Sequence, residues 1–198
     1  MSTNSNCQVL RAIRDRRSTR DFLDTPVETA AISRIVDAGR LAASGANRQP
    51  WHFVVVDDPA IKHNLRSICE AAEERYYENA NEKLRGWFAA HSISPSKPFL
   101  ERAPVLIAVF FDPRAPYAIP SVWIAITHML LQATQEGLYS LPYTPSGAQL
   151  GPELEVPAKY SVAALLPIGH AERPVGQPRH SLSQVASYNK YGVPFGDE

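Results

Sequence analysis

A chain of 198 residues, 44% of them hydrophobic, is long enough to bury one core of ordinary domain size. Lysines and arginines balance aspartates and glutamates at 20 each, which excludes a net field steering the molecule to nucleic acid or an anionic membrane. Cys7 and Cys69 are the only cysteines, too few for a disulfide scaffold or a zinc site, and they point to a reducing compartment. No run of about 18 apolar residues occurs, and Met1 to Asp15 lack a signal-peptide core, so the expectation is a soluble cytoplasmic protein.

Val9, Leu10 and Ile13 recur at helical spacing behind the capping types Ser5 and Asn6, which predicts a short first helix. It exits into Arg16-Arg17-Ser18-Thr19-Arg20. Three guanidiniums so close repel one another, and a polyanion such as a phosphate among them removes the repulsion. A solvated basic turn or a nucleic-acid patch extended by Arg11 and Arg14 is the other reading of such a cluster. Thr25-Pro26-Val27-Glu28 has the form of a capping box with proline at the first helical position. It opens a second helix running to about Leu41, with Ile32, Ile35, Val36 and Leu41 as the buried stripe. The small and polar run Ala42 to Pro50 lets a backbone approach a ligand closely and is a second candidate site.

Trp51 to Val56 reads as a buried strand, and Asp58-Pro59 opens a helix. On it Ile61, Leu65, Cys69, Glu73 and Tyr77 share one i+4 row, apolar first and polar afterwards, so this helix is expected to leave the core partway along. From Tyr77 to Lys97 the pattern weakens at Asn79, Asn81, Gly86, His91 and Ser92, as in an irregular lid. Val105 to Phe111 is the continuous apolar run of a strand buried on both faces. Ser121 to Glu136 is apolar almost all round and stops at Gly137, which suits a central core helix or a dimer face. Leu138 to Thr144 reads as a strand broken by Pro142, followed by a turn at Pro145-Ser146-Gly147, a short helix near Pro152 to Val156, and the strand Ser161 to Ile168. From His170 onward the chain is an arm with little apolar content, expected to wrap another surface. Strands separated by helical patterns give an α/β or α+β domain.

Four stretches occur together in one order: the arginine cluster, Ala43-Ser44-Gly45-Ala46-Asn47-Arg48-Gln49-Pro50-Trp51, Glu136-Gly137-Leu138-Tyr139-Ser140 and Leu166-Pro167-Ile168-Gly169. That set resembles the FMN-dependent nitroreductase superfamily from about Val9 to Val185. The resemblance implies a single α+β domain over residues 1–198, with a central, mostly antiparallel sheet flanked by helices. It also implies an intertwined homodimer whose arms, from about residue 170, embrace the partner. By the same resemblance Arg16, Arg17, Ser18, Thr19 and Arg20 would bind FMN, with Arg179 reaching its phosphate and Ser44 coming from the neighbouring subunit.

Within the superfamily, Asp58 to Arg66 and Ser44-Gly45-Ala46 are similar to segments of the iodotyrosine deiodinase family, whose members remove halide reductively from halotyrosines. Glu73, Tyr77 and Lys97 stand where that family binds the amino-acid zwitterion, Lys97 falling one residue short of a gapless alignment, and Ala46 stands where an amide meets the phenolate. Pro142, Tyr143 and Thr144 stand in the stretch that meets the flavin. The Thr144 hydroxyl matches the group that bonds flavin N5 and favours one-electron over hydride chemistry, whereas Pro142-Tyr143 replaces two threonines typical of the animal deiodinases. Chemically the zwitterion set is coherent, since a carboxylate pairs with an ammonium, a lysine with a carboxylate, and a phenol adds a wall and a hydrogen bond.

The expected activity is therefore reductive dehalogenation of a small aromatic substrate by an FMN enzyme drawing on NAD(P)H or a reductase partner, without metal, nucleic acid or membrane. Two alternatives stand beside it: an NAD(P)H-dependent nitro or quinone reductase of the same superfamily, and a non-catalytic flavin-binding module.

Overall fold

The computed structural model describes residues 9–90 and 93–195. Ser5, Asn6, Cys7, His91 and Ser92 lie outside them. Four strands, β1 (Trp51–Val56), β2 (Val105–Phe111), β3 (Tyr139–Ser140) and β4 (Ser161–Gly169), form one sheet in the order β1-β2-β4-β3. Every pairing is antiparallel, with Trp51 opposite Phe111, Val105 opposite Ile168 and Tyr139 opposite Gly169. The fold is α+β.

β2 is buried throughout, and its pleat sorts it between two cores. Val105, Ile107, Val109 and Phe111 face α2 (Thr29–Arg40) and α6 (Ala118–Gln135), packing with Ile35, Ile126 and Met129. Leu106, Ala108 and Phe110 face α3 (Pro59–Glu78) and α5 (Phe99–Arg102), packing with Leu65, Cys69 and Leu100. A glycine at 39 lets α2 meet α6 closely, because a Cβ there would come within 2.7 Å of the Met129 side chain. α6 ends as expected, with Gly137 at φ +75°. The Asp58 carboxylate caps α3 by accepting from the amides of Ala60 and Ile61, with Pro59 in the first turn.

Several local expectations change. The Thr25–Glu28 segment is not a capping box: α2 begins at Thr29 behind an extended Glu28 that makes no side-chain cap, because Val27 packs into the core and holds the segment out. Ile32 and Ile35 of the expected stripe are buried and Val36 packs against the core, but Leu41 is 63% exposed, and Ala31 and Gly39 complete the buried face of α2. α6 starts at Ala118, earlier than Ser121, since Pro120 in the first turn forfeits no helical hydrogen bond. Residues 82–90 are not irregular but form α4 (Glu82–Ala90). The expected helix at 152–156 is absent: residues 151–155 are turns, with Glu155 at φ +52°. Beyond Pro142 the edge strand keeps a single bridge, Tyr143 to Leu165.

α1 (Arg11–Asp15) leaves Val9, Leu10 and Ile13 exposed. α6 buries Val122, Ala125 and Met129 on one side while Ile119, Trp123 and Ile124 remain uncovered on the other. After β4 the one further helix among the described residues is α7 (Leu182–Val185), closed by a Ser181/Gln184 capping box, and most of 170–195 is exposed. Among the described residues no helix is long and apolar enough to cross a membrane.

Candidate active site

The C-terminal half of α3, α4 and the segments 93–99 and 141–146 enclose a cavity of about 810 Å³. Its side wall is aromatic. Phe88 of α4 stacks on Tyr77 of α3 with ring centroids 4.3 Å apart, and Trp87 meets Phe88 edge-on at 5.9 Å. These contacts explain how a nine-residue helix containing Gly86 persists: docking of one apolar face supplies what helix propensity lacks.

Along the neighbouring wall runs a polar group that α3 buries in spite of its sequence pattern. Glu73 is only 8% exposed. Its Oε1 accepts a hydrogen bond from the Tyr143 hydroxyl at 2.9 Å, and its Oε2 lies 3.6 Å from Lys97 Nζ. Lys97 Nζ also donates to the Ser94 carbonyl and sits 5.8 Å from the Tyr77 ring centroid. Burial holds the Lys97 ammonium below its ordinary pKa, with the Glu73 charge opposing that shift. Burial likewise raises the Tyr143 phenol, reinforced by Cys69 and Glu73, so it remains a neutral donor.

The Lys97 backbone is fixed separately. Glu70 Oε1 accepts from the Lys97 amide at 2.6 Å and from the Ser96 hydroxyl at 3.3 Å, while Arg66 Nε holds the same oxygen at 2.9 Å. Beneath Tyr143, Cys69 is wholly buried, and burial pushes its thiol up to about 12. Iodoacetamide at about pH 8 is therefore expected to leave Cys69 unmodified in folded protein and to alkylate it in urea, read by peptide mass spectrometry.

At the other side of the molecule's cationic turn, Arg16 is held below its ordinary pKa first by burial, then by the charges of Arg179 and Arg17. Among the described residues none of these three guanidiniums pairs with a carboxylate. Arg17 Nη1 is instead spent on the Arg14 and Arg16 carbonyls at 2.6 and 2.9 Å, and Arg16 reaches the Ser18 hydroxyl at 3.3 Å. Arg20 leaves this group and lies over the Phe99 ring, 5.8 Å from its centroid, at the cavity wall. Converging cations without a counter-ion suit a phosphate.

The loop before β1 stands apart from the cavity of its own chain. Ala46, Asn47 and Gln49 hold φ of 49°, 52° and 45°. The loop is pinned from inside, the Ser44 hydroxyl accepting from the Gln49 amide at 3.0 Å and the buried Ser121 hydroxyl accepting from the Gly45 amide at 3.1 Å. Gly45 is required there, since a Cβ would come within 2.7 Å of the Tyr117 ring.

Residues 13–170 match the family model described as Nitroreductase family. The chain belongs to the nitroreductase family. An iodotyrosine deiodinase of Thermotoga neapolitana is 36% identical over 152 residues, covering 76% of this chain and 81% of that protein. A second, of Haliscomenobacter hydrossis, is 36% identical over 78% of this chain and 75% of that protein. The fold matches that of a crystallised oxidised iodotyrosine deiodinase bound to FMN and 3-iodo-L-tyrosine, with TM-score 0.82 and 31% identity over 91% of this chain and 98% of that one.

Within this nitroreductase-family fold, the residues expected from sequence fall into three groups. Glu73, Tyr77 and Lys97 converge at the cavity, with Pro142, Tyr143 and Thr144 lining the same space. The Thr144 side chain is exposed and its hydroxyl bonds nothing among the described residues. Arg16, Arg17 and Arg179 gather, but the Thr19 hydroxyl is turned onto the Asp21 backbone, where it shapes the turn. Ser44 and Ala46 do not reach the cavity of their own chain. Sequence reasoning missed Glu70, whose signal was the i,i+4 pairing with Arg66, and missed the bond from Tyr143 to Glu73, for which the sequence carries no local signal.

Proposed function

We propose that this chain is an FMN-dependent oxidoreductase that removes halide reductively from halotyrosines, acting in the cytoplasm as a homodimer. The observation that carries the reading is the meeting of Glu73, Tyr77 and Lys97 on one cavity wall beside Thr144. Glu73 takes the substrate ammonium, Lys97 its carboxylate, and Tyr77 with Phe88 covers the ring. Once a bound substrate displaces the water of the cavity, these charges act more strongly than in solvent. Arg16, Arg17 and Arg179 hold the FMN phosphate, with Ser18 and Arg20 beside them and Thr144 presenting its free hydroxyl to the flavin. Bound FMN would supply two electrons which, with one proton from solvent, replace the carbon–halogen bond by carbon–hydrogen, halide leaving with the bonding pair. NAD(P)H or a reductase partner replenishes them.

The homodimer rests on two features. The loop at Ser44 and Ala46 is built to present its backbone outward, to a partner's site where the Ala46 amide holds the phenolate. Exposed Leu41, Ile119, Trp123 and Ile124 form apolar surface that a second copy covers, with the arm from about residue 170 wrapped across it. The domain is single, and its arm wraps the partner subunit.

One observation favours a second reading. Glu73 and Lys97 already neutralise each other, leaving an aromatic slot that suits an uncharged nitroaromatic or quinone. One experiment separates the two. Protein loaded with FMN and reduced anaerobically with dithionite is mixed with 3-iodotyrosine, and tyrosine and iodide are assayed. Equal amounts of both are expected. Reduced flavin that persists without tyrosine, but is oxidised by nitroaromatics, overturns the dehalogenase reading in favour of the reductase.

A further inference from the structure

Tyr143 occupies an unusual position between the sheet and the polar wall. Its backbone is fixed by the bridge to Leu165, donating at 3.0 Å and accepting at 2.8 Å. Its ring is fixed by an edge-on contact with Phe99, centroids 5.7 Å apart and planes 82° apart. The hydroxyl is thereby placed between the Cys69 thiol and Glu73, and Glu73 Oε1 accepts its hydrogen bond at 2.9 Å. Lys97 Nζ comes no nearer to the Glu73 carboxylate than 3.6 Å, at Oε2, longer than a close N–H···O contact. Lys97 is further drawn off by the Ser94 carbonyl. Glu73 is thus held by Tyr143, and its ion pair with Lys97 is long.

We infer that Tyr143 is a positioning residue for substrate selection: by claiming one oxygen of Glu73 it keeps the Glu73–Lys97 pair open enough for an amino-acid zwitterion to separate. This rests on the dehalogenase reading above and deepens it. A zwitterion entering the wall replaces one internal contact with two, ammonium on Oε2 and carboxylate on Lys97. Without the phenol, Oε1 is a buried acceptor with no donor, and the carboxylate satisfies it by turning toward Lys97 with both oxygens. The closer pair must then be broken before substrate binds, at the expense of affinity for ligands carrying the zwitterion and for no others.

The test compares Tyr143→Phe with the unchanged protein, both loaded with FMN, titrated with 3-iodotyrosine and with 2-iodophenol while flavin fluorescence is followed. The ratio of the two affinities is expected to fall about tenfold in Tyr143→Phe, through the iodotyrosine arm. Adding Lys97→Gln to both proteins should abolish most of the difference, because the pair that tightens no longer exists. An unchanged ratio in folded Tyr143→Phe, or a loss shared equally by both ligands, overturns the role of Tyr143 while leaving the dehalogenase reading intact. Failure of the unchanged protein to bind 3-iodotyrosine overturns that reading itself. If Tyr143→Phe does not fold, Tyr143→Met, which fills the space without a donor, is measured in its place against the same outcomes.

Discussion

Glu73→Ala is expected to weaken 3-iodotyrosine binding about 100-fold while FMN stays bound. A charge-assisted hydrogen bond to the substrate ammonium is worth about 1.5–3 kcal/mol, and the substitution also strands Lys97. Lys97 and Glu73 side chains are each 10% exposed, so the lysine is left buried without its counter-charge, a loss of about 3–5 kcal/mol for a buried pair broken on one side. The variant should therefore melt lower as well as bind weakly. Glu73→Gln separates the effects, since it keeps the volume and the acceptor for Tyr143 while removing the charge. Titration by flavin fluorescence and a thermal melt read both. Unchanged affinity in Glu73→Ala rules out the zwitterion site.

Arg16→Ala is expected to lower FMN affinity about 100-fold, by loss of charge-assisted contact to a phosphate, yet to leave the flavin-free protein no less stable. Arg16 is held in its charged form against burial and against Arg179 and Arg17, so truncation relieves the apoprotein of a repulsion that only a bound anion offsets. The sign is opposite to that of an ordinary arginine substitution. Flavin absorbance after gel filtration gives occupancy, and melts with and without added FMN give the two stabilities. Wild type should gain several degrees on loading, and Arg16→Ala much less at the same FMN concentration. An apoprotein that melts well below wild type would mean that Arg16 serves packing rather than an anion.

β2 was legible in the sequence because burial on both faces writes itself as a continuous apolar run, and β1 because its residues are aromatic and β-branched, although β1 is an edge strand in which only Val56 is buried rather than the buried strand expected. Trp51–Val56 and Val105–Phe111 have the bounds that their composition announces, and β4 differs by the single residue Gly169. α4 was not legible, since Gly86 interrupts it and the force that holds it is the docking of Phe88 on Tyr77, a contact between elements. Glu73 read as a solvated helix position for the same kind of reason: its hydroxyl partner lies 70 residues along the chain. The crowding of cations in the arginine turn was legible because repulsion among neighbours in sequence is already local. Thr19 looked identical to Ser18 in that turn, and only folding shows its hydroxyl closing on Asp21. Lys97 shows the limit from the other direction, its alignment one residue short while its side chain meets Glu73.

The loop before β1 carries a consequence for how this chain can change. Ala46, Asn47 and Gln49 hold left-handed backbone without being glycine, which costs roughly 1–2 kcal/mol for an ordinary L-residue and less for asparagine. Glycine at 46 or 49 would remove that strain but would also restore the backbone freedom that the present residues deny. Gains in thermal tolerance and gains in adaptability are therefore reached through the same few codons, and a lineage selected for either would be expected to alter this loop before it altered the sheet beneath.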